Sequence, residues 1–292
     1  MLKRVVGLAF CGLLIGVSPA LAQAPKEWTA KDPGDLAAHR SGQPNQPDRP
    51  DAPTPRPKVD DPAALIDRTD VNWRRLPKNF VQDQKDMWLF PFKVAEGKHI
   101  LPFLAVTIPT AALIATDPQT EPHFRKLDAF QDTSGAFGSK VSGGIIAGVP
   151  ATFYLVGLLR HNHYDQATSL FAGEAVVDDT ILMIVLKAIT RRQRPSDRPI
   201  NGPYNDTFFN SHAGPLGKAS SFPSGHAMMS FSIATVFARR YPQHKWLPWV
   251  AYGAATLISF TRLTTGAHFP SEVFLGAATG FAIARFDVLH GH

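Results

Sequence analysis

The stretch Ser221-Phe222-Pro223-Ser224-Gly225-His226 leads without a break into an apolar run, residues 227–238. A polar loop that ends in Ser and Gly before such a run is how a helix begins. Ser224 is a favoured N-cap, its hydroxyl able to accept from a first-turn N–H. Gly225 lacks a Cβ, so a ligand can come close to the backbone there. The unpaired N–H groups of the first turn and the helix dipole favour an anion such as phosphate. His226 stands in that turn, where an imidazole can give or take a proton beside the anion. A capped helix with an early histidine is common, so the meaning of this stretch depends on its surroundings.

On both sides the chain reads as helix. Six apolar segments with helical character cover residues 100–116, 141–159, 170–189, 227–238, 246–260 and 273–284. Glycine, proline and polar runs such as Asp132-Thr133-Ser134-Gly135 separate them, and β-alternation is scarce. The expectation is an all-α domain over residues 73–292, a helical bundle with about six core helices. The aromatic-rich stretch from Trp73 to Phe92 is expected to add one or two short helices or loops that close the domain.

The N-terminal part differs. Lys3 and Arg4 precede an apolar run and the small-residue sequence Ala20-Leu21-Ala22, the pattern of a cleaved export signal over residues 1–22. An uncleaved anchor is the alternative. Residues 23–72 hold nine of the 25 prolines, mixed with Asp, Arg, Gln and Ala. So few apolar groups cannot offset ordering entropy, and a disordered Pro-rich linker is expected. Cys11, the one cysteine, falls within the signal. A mature chain would then carry no disulfide, thiolate nucleophile or thiolate metal site. Export places the domain in a periplasm or cell envelope.

Bulk composition narrows the partners. Hydrophobic residues make up 44% and charged residues 18%, with a mean hydropathy of −0.08, which is low for a mostly membrane-embedded chain. A net charge of +6 suits an anionic partner or surface. No Lys/Arg run with interleaved aromatics argues for nucleic acid. Residues 141–159 are long and uncharged enough to span a bilayer. Residues 170–189 carry Glu174, Asp178, Asp179 and Lys187, costly against lipid. With a cleaved signal and three spans, the segment after Lys187 would face the cytoplasm, a poor fit for an exported phosphate site. The basic turn from Arg239-Arg240 to Lys245 pulls the other way. The balance favours a soluble or peripheral domain over an integral membrane one.

Three pieces surround the opening stretch. Before it stands Lys187, then six residues, then Arg194-Pro195. Pro223-Ser224-Gly225-His226 is the second piece. After it come Thr261-Arg262, five residues, His268, three more, and Glu272. Ordered in this way, the set resembles the type 2 phosphatidic acid phosphatase superfamily, which also includes bacterial non-specific acid phosphatases and vanadium haloperoxidases. Its signature is Lys-x6-Arg-Pro, Pro-Ser-Gly-His and Ser-Arg-x5-His-x3-Asp. Each piece alone is weak; the ordered set is highly specific.

The resemblance implies a phosphatase that uses no metal or other cofactor and passes through a phosphohistidine. Lys187, Arg194 and Arg262 would surround the phosphoryl oxygens with positive charge, and Ser224 and the Gly225 N–H would complete the cradle. His268 would attack phosphorus while Glu272 holds the proton on its other ring nitrogen. His226 would protonate the leaving alkoxide and then activate water. Vanadate is expected to occupy the same site. The substrate is then a phosphorylated small molecule or a lipid phosphate. The alternatives are a vanadate-dependent haloperoxidase with His268 as vanadium ligand, a membrane-embedded isoprenoid or lipid diphosphate phosphatase, and a non-catalytic phosphate-binding module. Thr261 and Glu272 depart from the signature Ser and Asp. The extra methylene of Glu272 lets the carboxylate reach His268 with less constraint on its orientation.

Residues outside the signature are expected to be bland. Arg191 and Arg192 read as solvated. Glu174, Asp178 and Asp179 read as a buried polar network or ion pairs with the basic site rather than a metal cluster. His161 and His163 read as a surface loop. The loop 196–220, with Tyr204, Phe208 and Phe209, is expected to shape the substrate entrance.

Overall fold

The computed structural model describes residues 73–127, 138–211 and 220–289. The export signal at 1–22, the linker at 23–72 and the polar run at Asp132 lie outside the described residues. Among the described residues there are seven α-helices and no strand, which bears out the all-α expectation. The helices are α1 (Leu76–Ala95), α2 (Ile100–Arg125), α3 (Ser139–Leu159), α4 (His163–Thr190), α5 (Gly225–Arg240), α6 (Leu247–Thr264) and α7 (Pro270–Ala282). A 3-10 turn, Pro195–Asp197, follows α4, and a π-helical turn, Ile283–Val288, extends α7.

The Trp73–Phe92 stretch is one helix of 20 residues rather than short pieces. At α2 the difference has a consequence for the site. The apolar run ends at residue 116, just before Asp117-Pro118, and a proline removes a ladder N–H. The helix nevertheless continues past Pro118 and Pro122 to Arg125. Tertiary contacts outweigh the local penalty: Asp117 is buried on this extension and bonded to Arg192 and Ser271. Arg125 Nη1 donates to Pro195 O at 3.0 Å, Arg198 O at 2.8 Å and Tyr204 Oη at 2.8 Å. Helix α4 starts seven residues earlier than its apolar run, because Asn162 caps it. The Asn162 side chain accepts from Tyr164 N at 3.0 Å and Asp165 N at 3.3 Å.

Helix α5 is the central element and packs on α4, α6 and α7. Its contact with α7 is a backbone-to-backbone one, made possible by Gly276-Ala-Ala-Thr-Gly280. A methyl group at Gly276 would press on Ser224 O, and one at Gly280 would overlap Met228 O. Ser232 Oγ closes the contact by donating to Gly280 O at 2.8 Å. Successive helices reverse direction, so the C-terminal ends of α2, α4 and α6 meet the N-terminal ends of α5 and α7. All pieces of the sequence signature lie at that end. The far end is tied separately, with Tyr241 Oη donating to Asp165 Oδ1 at 2.6 Å and Arg240 lying over the Tyr164 ring at 4.1 Å.

Two helices flank this core, α2 against α7 and α3 against α4. Ile100–Arg125 and Lys140–Leu159 have apolar windows of mean hydropathy 1.7 and 1.6, of which 11% and 22% is buried. Both are long and apolar enough to cross a membrane, and neither is shielded as a core helix would be. Leu101, Ile108, Leu155 and Leu159 are all exposed. Large contiguous apolar surface of this kind marks a lipid or partner contact. The expectation of a soluble or peripheral domain finds no support in this surface. It leaned on whole-chain hydropathy, which the polar residues 23–72 pull down, on the charges within residues 170–189 and on a count of three spans, whereas two described helices are long and apolar enough to cross.

Candidate active site

The nucleophile candidate is held by its own helix start. Phe269 is the N-cap of α7, and Glu272 is its third residue, so the carboxylate reaches back to the unpaired N-cap N–H. Glu272 Oε2 accepts from Phe269 N at 3.3 Å and from His268 Nδ1 at 2.9 Å. A carboxylate on Nδ1 fixes the proton there and leaves the Nε2 lone pair free. His268 N in turn donates to Arg262 O at 3.2 Å, which ties this histidine to the end of α6.

Three signature cations converge on the same ring. Burial, joined by the charges of Lys187, Arg194, His226 and Arg262, holds the His268 imidazole well below its ordinary value. The ring is therefore neutral, as a nucleophile must be. Arg194 Nη1 donates to Ala267 O at 3.2 Å, beside His268. Lys187 Nζ donates to Ser220 O at 2.6 Å and Ser221 O at 3.3 Å, which places it beside the opening stretch. Burial and the Arg194 charge bring Lys187 down to about 8. Arg262 is buried and spends Nε and Nη2 on Thr261 Oγ1, at 3.2 and 2.9 Å. Thr261 thus has a defined contact in place of the signature serine.

The opening stretch is a helix start. Ser224 caps α5, its side chain accepting from Ala227 N at 3.5 Å. It is fully buried, whereas His226 in the same turn is only partly so. The reason for glycine at 225 differs from the sequence reading. The space a Cβ would need is filled by Met183 Sδ of α4, so the missing side chain serves helix packing. Its N–H still belongs to the unpaired set at the α5 N-terminus.

Glu272 is not loosely held, contrary to what its extra methylene implied. Oε1 accepts from Ser221 Oγ at 2.7 Å and pairs with Arg192 Nη1 at 3.2 Å. Arg192 itself corrects the sequence reading. It is 1% exposed, not solvated, and its guanidinium reaches Asp117 Oδ2 at 2.8 Å, Ser271 Oγ at 3.0 Å and Thr207 Oγ1 at 3.0 Å. Arg191 is exposed, as expected. Burial pushes the Glu272 carboxyl up, and Arg192, Ser221 and Lys187 pull it back down.

The other residues read from sequence fall elsewhere. Glu174, Asp178 and Asp179 are buried along α4, and Asp178 Oδ1 accepts from Gln84 Nε2 of α1 at 2.8 Å. Among the described residues, no three His, Cys, Asp or Glu side chains are grouped to hold a metal. His161 and His163 are exposed. Tyr204 is buried against Phe269, and Phe208 packs over Arg192 and Phe222. Phe209 alone of the three aromatics points to the surface. Asp117, Ser221, Ser271 and Arg192 are the site-bordering residues that sequence reasoning left without a role.

Comparison with known proteins agrees with this geometry. Residues 166–289 match the family model of the PAP2 superfamily. The match bears out the resemblance to the type 2 phosphatidic acid phosphatases. The chain is 34% identical over 106 residues to a lipid A 1-phosphatase of Rhizobium etli, covering 36% of this chain and 42% of the relative. It is 27% identical over 111 residues to a lipid A 4'-phosphatase of Porphyromonas gingivalis, covering 38% and 45%. The chain thus spans less than half the length of the curated relatives it matches. A transmembrane PAP2-type phosphatidylglycerolphosphate phosphatase from Bacillus subtilis shows a loose likeness, with a TM-score of 0.44 and 20% identity over 63% of this chain and 91% of its own.

Proposed function

We propose that the protein is a membrane-held phosphatase of the cell envelope that removes phosphate from a lipid phosphomonoester through a phosphohistidine at His268, without a metal. The observation that carries this reading is the buried His268–Glu272 pair at 2.9 Å, with the charges of Lys187, Arg194 and Arg262 bearing on the imidazole. A neutral histidine with one nitrogen tied to a carboxylate is a nucleophile, and the surrounding cations match a phosphoryl group.

The steps balance on these residues. The Nε2 lone pair of His268 bonds to phosphorus as the ester P–O bond breaks. His226, which is partly exposed in the first turn of α5, gives its proton to the departing alkoxide. The positive charge that grows on His268 is met by Glu272. Water then gives a proton to His226 and its oxygen to phosphorus, the P–N bond breaks, and His268 returns to its neutral form. Lys187, Arg194 and Arg262 stabilise the charge on the phosphoryl oxygens in both steps.

Two observations favour a lipid as the substrate. The exposed apolar faces of α2 and α3 fit a bilayer, and the curated relatives are named for lipid A phosphates. The full chain, extracted in detergent, is assayed for phosphate release from a lipid phosphomonoester and from a soluble one, with chelator present. Preferred turnover of the lipid with chelator, lost in His268→Ala, is expected. Activity lost on chelation, full activity in His268→Ala, or turnover of the soluble ester alone counts against the reading.

A further inference from the structure

A layer of buried charge lies behind the reacting pair and takes no direct part in the steps above. Arg192 sits at its centre, with its guanidinium between the rings of Phe269 at 3.9 Å and Phe208 at 4.5 Å. Its donors are divided among Thr207, Ser271, Glu272 and Asp117. Asp117 is fully buried on α2, and it also accepts from Ser271 N at 3.2 Å and Ser271 Oγ at 2.5 Å. One helix from the apolar pair therefore reaches, through Asp117, to the start of α7, where Glu272 stands.

The geometry assigns a task to this layer. A glutamate carboxylate turns about one more bond than an aspartate, so contact with His268 alone would leave it free to swing. Oε1 is pinned by Ser221 and Arg192, and pinning one oxygen sets the place of the other, the one His268 uses. Arg192 in turn is aimed by Asp117, whose charge offsets that of the guanidinium. One negative charge remains on the trio Asp117, Arg192 and Glu272, and that charge is available to the imidazolium that grows on His268. We propose that Arg192, aimed by Asp117, is a positioning residue for His268 and acts through Glu272. The proposal rests on the histidine mechanism above.

The experiment compares the full chain with Arg192→Lys, Asp117→Asn, Glu272→Gln and the two double variants that include Glu272→Gln. Lysine keeps the charge but cannot serve several acceptors in one plane. Loss of a group that orients a reactive histidine typically costs about 10- to 100-fold in activity. Arg192→Lys should lose kcat by about that factor with KM changed less than about twofold, since Arg192 is buried behind Glu272 with its donors given to Thr207, Ser271, Glu272 and Asp117. Asp117→Asn should move kcat in the same direction by a smaller factor, and it serves alone if Arg192→Lys fails to fold. Because the route runs through Glu272, each double variant should be no slower than Glu272→Gln by itself. A different role predicts otherwise: a purely structural one gives lower thermal stability with unchanged kcat per folded enzyme in the single variants, and a route that bypasses Glu272 makes the doubles slower than Glu272→Gln by a further factor. Either of those results overturns the proposal. His268→Ala separates the two levels. If it is dead while Arg192→Lys and Asp117→Asn run at the full rate, only the positioning role fails; if it is active, the histidine mechanism fails first.

Discussion

Shortening Glu272 to aspartate installs the residue that the family signature carries, yet this structure predicts a slower enzyme. The carboxylate here meets four partners: His268 Nδ1 at 2.9 Å, Phe269 N at 3.3 Å, Ser221 Oγ at 2.7 Å and Arg192 Nη1 at 3.2 Å. Removing one methylene withdraws the carboxylate by about 1.5 Å, a bond length, so it cannot keep both sides. If it follows Ser221 and Arg192, the His268 contact opens beyond hydrogen-bond range. If it follows His268, Oε1 loses its two restraints. A hydrogen bond to a charged group contributes about 1.5–3 kcal/mol, and about 1.4 kcal/mol is tenfold in rate, so kcat should fall by roughly 10- to 150-fold. The lost methylene should also lower stability by about 0.5–1.5 kcal/mol. The assay is phosphate release at saturating substrate, with KM taken separately and thermal melts run alongside. A Glu272→Asp variant as fast as the parent would falsify the idea that the Ser221–Arg192 frame is built for glutamate.

Four other perturbations follow from named residues. Lys187, brought down to about 8, loses its charge above that pH, so kcat/KM should fall on the basic side near pH 8 and this limb should move upward in Lys187→Arg. Lys187 also leaves a stability signature: between pH 8 and its ordinary value of 10.5 the unfolded chain binds more protons, so its contribution to stability rises with pH there, and Lys187→Met should lack that rise in melts. Glu121 is fully buried with neither carboxylate oxygen hydrogen-bonded, so Glu121→Met should raise stability by about 1–3 kcal/mol, and a lower Tm would count against that account. Gly280→Ala should lower stability by about 1–3 kcal/mol because the added methyl overlaps Met228 O on α5, and an unchanged Tm would show that the two helices can part.

Periodicity and punctuation carried most of the fold. Apolar runs located the cores of α2 to α7, and Ser224 and Gly225 marked the start of α5 to the residue. What was missed is what tertiary contact decides. The apolar run stopped at residue 116, before Pro118 and Pro122, and the contacts of Asp117 and Arg125 explain why the helix runs through them. Gly276-x-x-x-Gly280 was visible as a small-residue pair, a known sign of close helix approach, but was absorbed into an apolar run. Within the site, signature spacing picked out the residues proposed to face phosphate. It could not find Arg192, because a buried arginine and a solvated one look alike in a run of arginines. Its partners Asp117 and Ser271 lie 75 and 79 residues away, and no local pattern links them.

The central claim is that phosphate passes through His268. Wild-type chain mixed with a labelled lipid phosphomonoester in the presence of chelator, and quenched within a turnover, tests it directly. The account predicts label bound to protein that survives base and is lost in acid, that maps to His268, and that is absent from His268→Ala. Label on another residue, or full turnover with no labelled protein at any quench time, would contradict it.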